Sequence, residues 1–395
     1  RKQEKYTYTM ISTVRIIELV VFYILSLSVG YLFLFAIASK FYRRRKYAQA
    51  EKMNRFAVLF PAYKEDKVII QSVTSFLEQD YPKDKYEVIV ISDHMEDATN
   101  EALSQLPIRL IKATYTDSSK AKAMSLAMDV TEHGHYDMVV VMDADNLTTP
   151  QFLQEMNKAR NAGLKAIQAH RTAKNTNTDV ALLDAVSEEI NNSLFRKGHV
   201  AMGFSSALIG SGMALDNDWF RYNVKRLQTA GEDKELEMLL LKDRIYIEYL
   251  EDLYVLDEKV QKKEGIQNQR RRWFASQVGS LLNALPHFPK AFFTGNFDYC
   301  NKVIQWMMLP RIILIFLIGV ITLSATVISP ASCLKWWYLS LWLLFTLCLV
   351  IPGRLYNRKL LKAVLQIPIL AWMMFLNLFK LKGVNKKFIH TEHGH

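Results

Sequence analysis

The chain has 395 residues, enough for one large or two ordinary domains, and its mean hydropathy of +0.01 averages apolar ends with a middle of mixed composition. Hydrophobic residues make up 50% and charged residues 23%, which excludes a disordered chain, and three cysteines without CxxC spacing argue against a disulfide framework or structural zinc site. The net charge of +11 is compatible with nucleic acid, anionic lipid or a phosphate-bearing substrate as the partner.

The first predicted element is an apolar segment at residues 16–39, which contains a single charged residue, Glu18. A bilayer core requires roughly 20 apolar residues, so we expect a transmembrane helix rather than the shorter apolar region of a signal peptide. Four consecutive cations follow at residues 43–46 and indicate the cytosolic side of the membrane. Residues 1–15 are therefore predicted to be an extracytoplasmic segment, and the region after the helix is predicted to be cytosolic.

Residues 54–273 are predicted to form one cytosolic α/β domain, because β-rich runs alternate with helical patterns. Such alternation indicates a mainly parallel sheet with helices on both faces. The predicted strands are 56–60, 87–92, 109–113, 138–142, 166–170 and 245–250. The predicted helices are 67–78, 119–130, 150–162, 179–195 and 233–242.

Acidic residues follow two of the predicted strands, at the edge where parallel sheets of this kind bind ligands. Asp93 follows one strand, and Asp143-Ala144-Asp145 follows another. A single aspartate in this position more often forms a turn or caps a helix. Two aspartates spaced i, i+2 can both face one crevice, where they would bind a divalent cation that bridges phosphate oxygens.

Two further motifs lie downstream. Gly231-Glu232-Asp233 precedes the helix at 233–242, so Asp233 is expected at or next to a helix N-cap, with capping and catalysis as its two interpretations. Gln269-Arg270-Arg271-Arg272-Trp273 precedes an amphipathic segment, 274–295, that we predict to be interfacial. An amide, planar cations and an aromatic ring together are suited to binding a diphosphate and a sugar.

Three more apolar stretches lie toward the C-terminus. Residues 307–351 are predicted to form a transmembrane hairpin that leaves the cytosol and returns to it. The third stretch, 360–383, has cations at both ends, which favours an interfacial or re-entrant helix over a fourth crossing. The last residues, 384–395, are then predicted to form a cytosolic tail.

In this order, the four motifs resemble the D, DxD, TED and (Q/R)xxRW pattern of the membrane-integrated, inverting family 2 glycosyltransferases with a GT-A fold. That family includes cellulose, chitin and hyaluronan synthases and ceramide glucosyltransferases. Residues 60–65 and 119–124 are also similar to the family's P-A-Y-N-E and K-A-G-A-L segments. The resemblance implies a GT-A fold, a Rossmann-like mixed, mainly parallel α/β sheet with helices on both faces, together with flanking transmembrane and interfacial helices.

The resemblance also implies a role for each matching residue. The donor nucleotide would be contacted by Tyr63, Glu65, Asp93, Lys120 and Asp143. Asp145, assisted by Asp143, would hold Mg²⁺ or Mn²⁺ on the donor diphosphate, and Asp233 would be the general base. The diphosphate and acceptor would lie near Glu232, Gln269, Arg272 and Trp273. A loosely matching glycine-rich segment would place Gly210, Ser211 and Gly212 near the acceptor, with a simple turn as the alternative.

The function implied by the resemblance is that of a hexosyltransferase in a bacterial inner (plasma) membrane, with a cytosolic catalytic domain. It would transfer sugar from a UDP-sugar to a growing polysaccharide or oligosaccharide and form a β-linkage. A single-transfer enzyme that makes a glycolipid on a ceramide- or diacylglycerol-type acceptor is the alternative within this class, and a non-catalytic channel or regulatory subunit is the alternative outside it. Self-association into a homo-oligomer is left open.

Nucleic acid is not expected as a partner. The chain has no helix-turn-helix or zinc pattern, and much of its excess charge lies beside the predicted membrane segments. The expected partners are instead the UDP-sugar donor, a carbohydrate or lipid acceptor, and membrane lipids.

Overall fold

The structure, a computed structural model, describes residues 2–227, 229, 231–261, 263–328 and 330–377. The predicted tail, 384–395, and the end of the predicted interfacial segment, 378–383, lie outside the described residues. Within the described part, eight strands form one sheet. They are β1 (Phe56–Tyr63), β2 (Tyr86–Asp93), β3 (Arg109–Ala113), β4 (Met138–Val141), β5 (Leu147–Thr148), β6 (Ala166–Ala173), β7 (Met213–Asp216) and β8 (Ile247–Asp257).

The strand order in the sheet is β3-β2-β1-β4-β7-β6-β8-β5. β1 to β4 are mutually parallel, and β6 is parallel to β8. β7 is antiparallel to both of its neighbours, and β5 is antiparallel to β8. This mixed, mainly parallel sheet confirms the predicted α/β fold class, and it brings the carboxyl ends of β1, β2, β4 and β8 to one edge.

The central strands are buried because they are apolar on both faces. All four residues of β4 and the first five of β1 are buried. Such continuous apolar runs are typical of parallel strands covered by helices on both sides. Since side chains alternate along a strand, Leu59 and its neighbour Phe60 belong to apolar clusters on opposite faces of the sheet.

The described α-helices fall into a group around the sheet and a group at the ends of the chain. They are α1 (Lys2–Lys40), α2 (Ile69–Phe76), α3 (Asp97–Ser104), α4 (Lys120–Val130), α5 (Phe152–Asn161), α6 (Asp179–Asn191), α7 (His199–Ala201), α8 (Asn217–Val224), α9 (Glu232–Lys242), α10 (Lys263–Ala284), α11 (Phe288–Phe293), α12 (Phe297–Met307), α13 (Arg311–Ile328), α14 (Pro330–Val350), α15 (Arg358–Val364) and α16 (Ile367–Asn377). A π-helical turn, Asn192–Gly198, joins α6 to α7, and 3-10 turns lie at Lys83–Lys85, Leu285–His287 and Gly353–Leu355.

Among the described residues, four helical segments are long and apolar enough to cross a membrane: Thr13–Lys40, Arg311–Ile328, Cys333–Val350 and Arg358–Leu376. The last of these is interrupted by a turn between α15 and α16. A third apolar cluster, which includes Phe35, Leu314 and Trp336, packs α1, α13 and α14 against one another and against α6. The apolar end helices therefore pack directly against the α/β part of the chain.

The ends of several elements differ from the predicted ones. α1 is continuous from Lys2 to Lys40, so no break in the helix separates residues 2–15 from the first apolar segment. α10 begins at Lys263, so the predicted boundary between residues 273 and 274 falls inside a helix, with the QRRRW motif near its middle. β5, β7, α3 and α8 were not predicted, because each is short or carries many polar residues.

β8 extends seven residues beyond its predicted end, as far as Asp257. Its pairing with β6 jumps from Leu250 opposite Ala169 to Tyr254 opposite His170. Three residues, 251–253, are therefore looped out in a bulge that contains the acidic pair Glu251-Asp252. Because of this polar interruption, the strand was predicted to end at Leu250. The part of β8 that was not predicted carries site residues described below.

Candidate active site

The residues singled out from the sequence line one side of a large cavity of about 1330 Å³ at the carboxyl edge of the sheet. The cavity lining includes Tyr63, Glu65, Asp93, Lys120, Asp143, Asp145, Glu232, Asp233, Gln269, Arg272 and Trp273. These positions span 211 residues of sequence (273 minus 62), so their convergence follows from the fold. Gly210 is adjacent to this group, as the contacts below show.

One end of the cavity is formed where β1 and β2 finish side by side. Tyr63 and Asp93 are the last residues of these strands and lie opposite each other in the register. Asp93 is buried and accepts a hydrogen bond of 2.6 Å from His94 Nδ1, while the His94 ring lies 5.4 Å from that of Tyr63. An aromatic face beside a buried carboxylate can stack on a nucleobase and accept its N–H groups.

The two aspartates of the DxD motif are held differently. Asp145 is buried and accepts hydrogen bonds from the backbone N–H of Glu258, at 2.7 Å, and from Asn146 Nδ2, at 3.2 Å. Asp143 forms an ion pair with Lys120 and lies 3.6 Å from Arg171 Nη1. Burial alone would raise the pKa of Asp143, but the two cations outweigh it and hold that pKa below its usual value. Asp143 therefore stays ionised.

Lys120 connects the DxD motif to the beginning of α9. Its Nζ donates to Asp143 and, at 2.7 Å, to the carbonyl oxygen of Gly210, and it lies 3.8 Å from Glu232 Oε1. Burial lowers the pKa of Lys120, but the charges of Asp143 and Glu232 outweigh it and raise that pKa. Lys120 is thus a fixed cation among the carboxylates of the cavity.

The Gly231-Glu232-Asp233 motif forms the N-terminus of α9, with Gly231 as the N-cap. A Cβ on Gly231 would overlap the side chain of Ser276 in α10, so glycine is the residue that fits beside Ser276 here. Asp233 Oδ1 accepts from the backbone N–H of Lys234 at 2.8 Å. Burial raises the pKa of Glu232, and Lys120 only partly offsets this. Glu232 therefore loses its proton less readily than an exposed glutamate would.

Gly210 lies directly against this pair of carboxylates. It has a φ of +86°, and a Cβ there would be 3.5 Å from Asp233 Cβ and 3.7 Å from Lys120 Nζ. Gly212 has a φ of +60°, and the Cβ it lacks would overlap Val255. Ser211, between them, is fully buried. The segment is therefore a turn, and the turn also forms part of the site wall.

The QRRRW motif faces two directions from α10. Residues two positions apart on a helix are about 200° apart around its axis, so Arg270 and Arg272 diverge. Arg270 pairs with Asp184 of α6, and its guanidinium stacks on Trp273 at 4.4 Å. The charge of Arg272 acts on Glu232. The motif thus joins the carboxylates of α9 to the helices on the other side of the cavity.

A group of buried charges behind the DxD motif was missed from the sequence. Arg171, from β6, lies 3.1 Å from Glu188 and 3.8 Å from Asp257. Lys259 lies 2.8 Å from Glu188 and 2.7 Å from Asp257. Burial raises the pKa of Glu188, but Arg171 and Lys259 lower it far below its usual value. A usable signal was present, because Asp257 follows a strand just as Asp93 and Asp143 do.

Asp143 and Asp145 fit a divalent cation of the Mg²⁺ or Mn²⁺ type. Such ions are commonly bound by one or two carboxylates together with substrate phosphates. Within the described residues, no group of three or more His, Cys, Asp or Glu side chains could hold a metal ion alone. The donor set therefore suits a cation that is shared with a phosphate-bearing ligand.

The other side of the cavity has a different lining. It is formed by side chains and backbone from four of the end helices, such as Leu32 of α1, Ile315 and Gly319 of α13, Leu347 of α14 and Leu370 of α16. The cavity is therefore continuous from the carboxylates at the sheet edge to a wall of helices that are apolar enough to cross a membrane.

Several curated proteins are similar to parts of the chain. The probable glycosyltransferase YdaM of Bacillus subtilis (strain 168) is 29% identical over 106 residues, which are 26% of this chain and 24% of YdaM. The β-monoglucosyldiacylglycerol synthase of Trichormus variabilis is 24% identical over 231 residues, 55% of this chain and 47% of the synthase. The chain spans about half the length of the synthase and about a quarter of YdaM.

Among solved structures, the fold is similar to that of the mannosyltransferase PcManGT from Pyrobaculum calidifontis in complex with GDP-Man and Mn²⁺. The TM-score is 0.58 at 16% sequence identity, and the match covers 90% of this chain and 98% of PcManGT. The family model described as "Glycosyltransferase like family 2" matches residues 54–276, more than half of the chain. The chain therefore belongs to glycosyltransferase family 2 and is a glycosyltransferase with a GT-A fold.

Proposed function

We propose that this protein is a membrane-bound inverting glycosyltransferase that transfers one sugar from a UDP-sugar to a hydroxyl group of a lipid acceptor and forms a β-linkage. The observation that carries the proposal is the single cavity of about 1330 Å³ that joins the acidic site to the apolar end helices. A donor with a nucleotide and a diphosphate suits the charged end. An acceptor with a hydroxylated head group and apolar chains suits the remainder.

The chemistry requires one displacement at the anomeric carbon. The acceptor oxygen forms a bond to C1 of the sugar as the bond from C1 to the diphosphate oxygen breaks, and the nucleoside diphosphate leaves with that electron pair. Asp233 takes the proton of the acceptor hydroxyl. The attack is from the face opposite the leaving group, so an α-linked donor gives a β-linked product.

The residues around the leaving group would stabilise its charge. Asp143 and Asp145 would hold Mg²⁺ or Mn²⁺, which neutralises charge on the diphosphate. Lys120 already contacts Asp143 and lies near Glu232, so it would lie close to a phosphate bound beside Asp143. Arg272, whose charge acts on Glu232, would provide a second fixed cation. Tyr63 and Asp93 would contact the nucleobase, and Gln269 and Trp273 the sugar and acceptor.

Membrane insertion is part of the proposal. The helical segments Thr13–Lys40, Arg311–Ile328 and Cys333–Val350 would cross a bacterial inner membrane, and Arg358–Leu376 would lie at its cytosolic surface. The cations at residues 43–46 would be in the cytosol under the positive-inside rule. The charged end of the cavity would then face the cytosol, where nucleotide sugars are made, and the apolar walls would lie in the lipid.

Extension of a polysaccharide is the second candidate. The volume of the cavity favours it, since sites for small ligands usually measure roughly 300–1,000 Å³. The apolar walls and the small number of candidate spans favour a lipid acceptor. A polysaccharide would have to cross the membrane through a pore, and few apolar helices are available to line one. This order reverses the preference drawn from the sequence alone.

The test is a transfer assay with purified full-length protein and Mg²⁺ or Mn²⁺. A panel of UDP- and GDP-sugars is supplied with either a bacterial lipid extract or oligosaccharides, and nucleoside diphosphate release and product mass are measured. We expect release that depends on lipid and on the metal, and a chloroform-soluble product one sugar heavier than its acceptor. A ladder of water-soluble products would show instead that the acceptor is a growing polysaccharide and not a lipid.

A further inference from the structure

Three arginines from different elements line the cavity that joins the carboxylates of α9 to the apolar walls. They are Arg196 from the π-helical turn, Arg270 from α10 and Arg311 at the start of α13. We refer to these three residues as the arginine cluster. Their charges are mutually repulsive, since Arg311 interacts unfavourably with both Arg270 and Arg196.

Arg311 is bonded on one side only. Its Nη2 donates to the carbonyl oxygen of Ser187, at 3.0 Å, and to the Ser187 hydroxyl, at 3.1 Å. Its Nη1 is buried and has no hydrogen-bond partner among the residues that the structure describes. A buried guanidinium nitrogen without an acceptor is costly, because it has lost its water without replacement.

Arg196 also bonds to neutral acceptors. Nη1 donates to Asn192 Oδ1 at 2.8 Å, and Nε donates to the carbonyl oxygen of Ala207 at 3.3 Å. Its side chain is buried, and burial lowers the pKa of Arg196 despite the attraction of Glu188. The π-helical turn that presents it is a rare local structure that often occurs at functional sites.

The nearby carboxylates already have other partners. Glu188 is bonded to Arg171 and Lys259, and Asp184 is bonded to Arg270. Within the described part of the chain, no carboxylate lies within ion-pair distance of Arg196 or Arg311. Two largely desolvated cations therefore face one cavity without a matched anion, although buried charges are normally paired.

We propose that the arginine cluster binds a phosphate group carried by the lipid acceptor, an inference that rests on the proposed function. Arg311 and Arg196 would bind its oxygens, and Arg270 would lie at the edge of the site. A guanidinium binds phosphate through two parallel N–H donors, and the free Nη1 of Arg311 supplies a donor that has no other acceptor.

The position of the cluster points to a lipid phosphate rather than a free anion. Arg311 is the first residue of α13, and the next residues of that helix, Ile312, Ile313 and Leu314, line the same cavity. A phosphate at Arg311 would therefore lie where a phospholipid places it, between the apolar chains and the head group. The acceptor class is then an anionic glycerophospholipid whose head group carries a free hydroxyl.

The test is a binding measurement with the full-length protein in detergent, in the presence of saturating UDP and Mn²⁺. Dioctanoyl phosphatidic acid is compared with dioctanoylglycerol by native mass spectrometry. We expect the phosphate-bearing lipid to bind at least about tenfold more tightly, and Arg311→Gln to remove about 10- to 100-fold of its affinity. Arg311→Lys, which keeps the charge, should retain part of it. Arg43→Gln, an exposed cation outside the cavity, should leave it unchanged.

Several results would overturn the site. Equal binding of the two lipids, or full affinity in Arg311→Gln, would exclude a phosphate contact. Displacement of the lipid by inorganic phosphate at equal concentration would exclude a lipid source for the anion. Tighter lipid binding when UDP is left out would instead assign the arginines to the donor. Arg196→Gln is a second variant and is interpreted only if its melting temperature is normal.

The two proposals fail separately. Transfer to a neutral lipid with no preference for the phosphate-bearing one would overturn the phosphate site and leave the proposed function intact. Absence of transfer to any lipid would refute the proposed function whatever the binding measurement gives.

Discussion

We call the end of the cavity around Asp143 the nucleotide end, after the donor proposed to bind there, and the end with Arg196, Arg311 and the apolar walls the membrane end, after its proposed location. The two ends differ in how their charges are paired. At the nucleotide end, Asp143 is paired with Lys120 and lies 3.6 Å from Arg171. At the membrane end, Arg311 and Arg196 donate only to neutral acceptors in the hydrogen bonds described above. At the nucleotide end, Asp143 is thus matched by the protein's own cations, whereas at the membrane end two arginines lack an anionic partner among the described residues. Under the proposed function, a donor would displace some of these contacts and an anionic acceptor would complete them.

The largest effect is expected at the nucleotide end, from Asp233→Asn. If Asp233 is the base, as proposed, this change should lower kcat at least about 1000-fold while nucleotide affinity changes little, because the carboxylate would act on the acceptor proton and not on the nucleotide. The measurements are nucleoside diphosphate release and equilibrium binding of the UDP-sugar.

Asp218→Asn is a matched control, since Asp218 is the second residue of α8 just as Asp233 is the second residue of α9. It is exposed and lies outside the cavity, so its activity should be normal. Undiminished turnover in Asp233→Asn would refute its assignment as the base.

A smaller effect is expected from Gly210→Ala, which tests how closely the turn at 210–212 borders the reacting groups. Gly210 and Gly203 have similar positive φ angles, +86° and +81°, but only at Gly210 would a Cβ meet other atoms. Both alanine variants should lose about 1 kcal/mol of stability. Only Gly210→Ala should also lower kcat/KM, by about tenfold, because the methyl group lies against Asp233 and Lys120. Equal activity of Gly210→Ala and Gly203→Ala would show that the acceptor does not bind next to the turn at 210–212.

Much of the nucleotide end could be predicted from the sequence, but the membrane end could not. Asp93 and the DxD aspartates were visible because they come just after continuous apolar runs, at residues 88–91 and 138–142. Asp257 was missed because the bulge at 251–253 interrupts the apolar pattern of β8. The arginine cluster has no sequence signature, since Arg196 and Arg311 are 115 residues apart (311 minus 196) and meet only because α6 and its π-helical turn pack against α1 and α13.

The smallest expected effect is a loss of stability when Glu189 is substituted. Glu189 is the carboxylate partner of Arg354, an arginine near the membrane end. Arg354 lies 2.7 Å from Glu189, which also accepts from His170 and Thr172. Burial raises the pKa of Glu189, but these partners outweigh it and lower the pKa from 4.5 to about 2. The ionised Glu189 therefore stabilises the fold above pH 4.5, and this contribution is lost as the pH falls toward 2.

Glu189→Gln should thus lower stability by about 2 kcal/mol near pH 7 and by less at each step below pH 4.5. Melting curves of the two proteins across this range provide the measurement. A stability difference between the two proteins that stays constant from pH 7 to pH 3 would exclude an ionic role for Glu189. It would also weaken the contrast between the paired Arg354 and the unpaired Arg311.

The most direct test of the continuous cavity is lipid glycosylation by Gly319→Phe. Gly319 lines the apolar wall, and a Cβ there would have no atom within 4 Å, so the added ring enters the cavity. Val320→Phe is the control, because Val320 is 44% exposed on the outside of the same helix. We predict that Gly319→Phe lowers the rate of sugar transfer to lipid at least about tenfold without changing UDP-sugar affinity, and that Val320→Phe transfers normally. Normal lipid transfer by Gly319→Phe would contradict an acceptor path through the membrane end of the cavity.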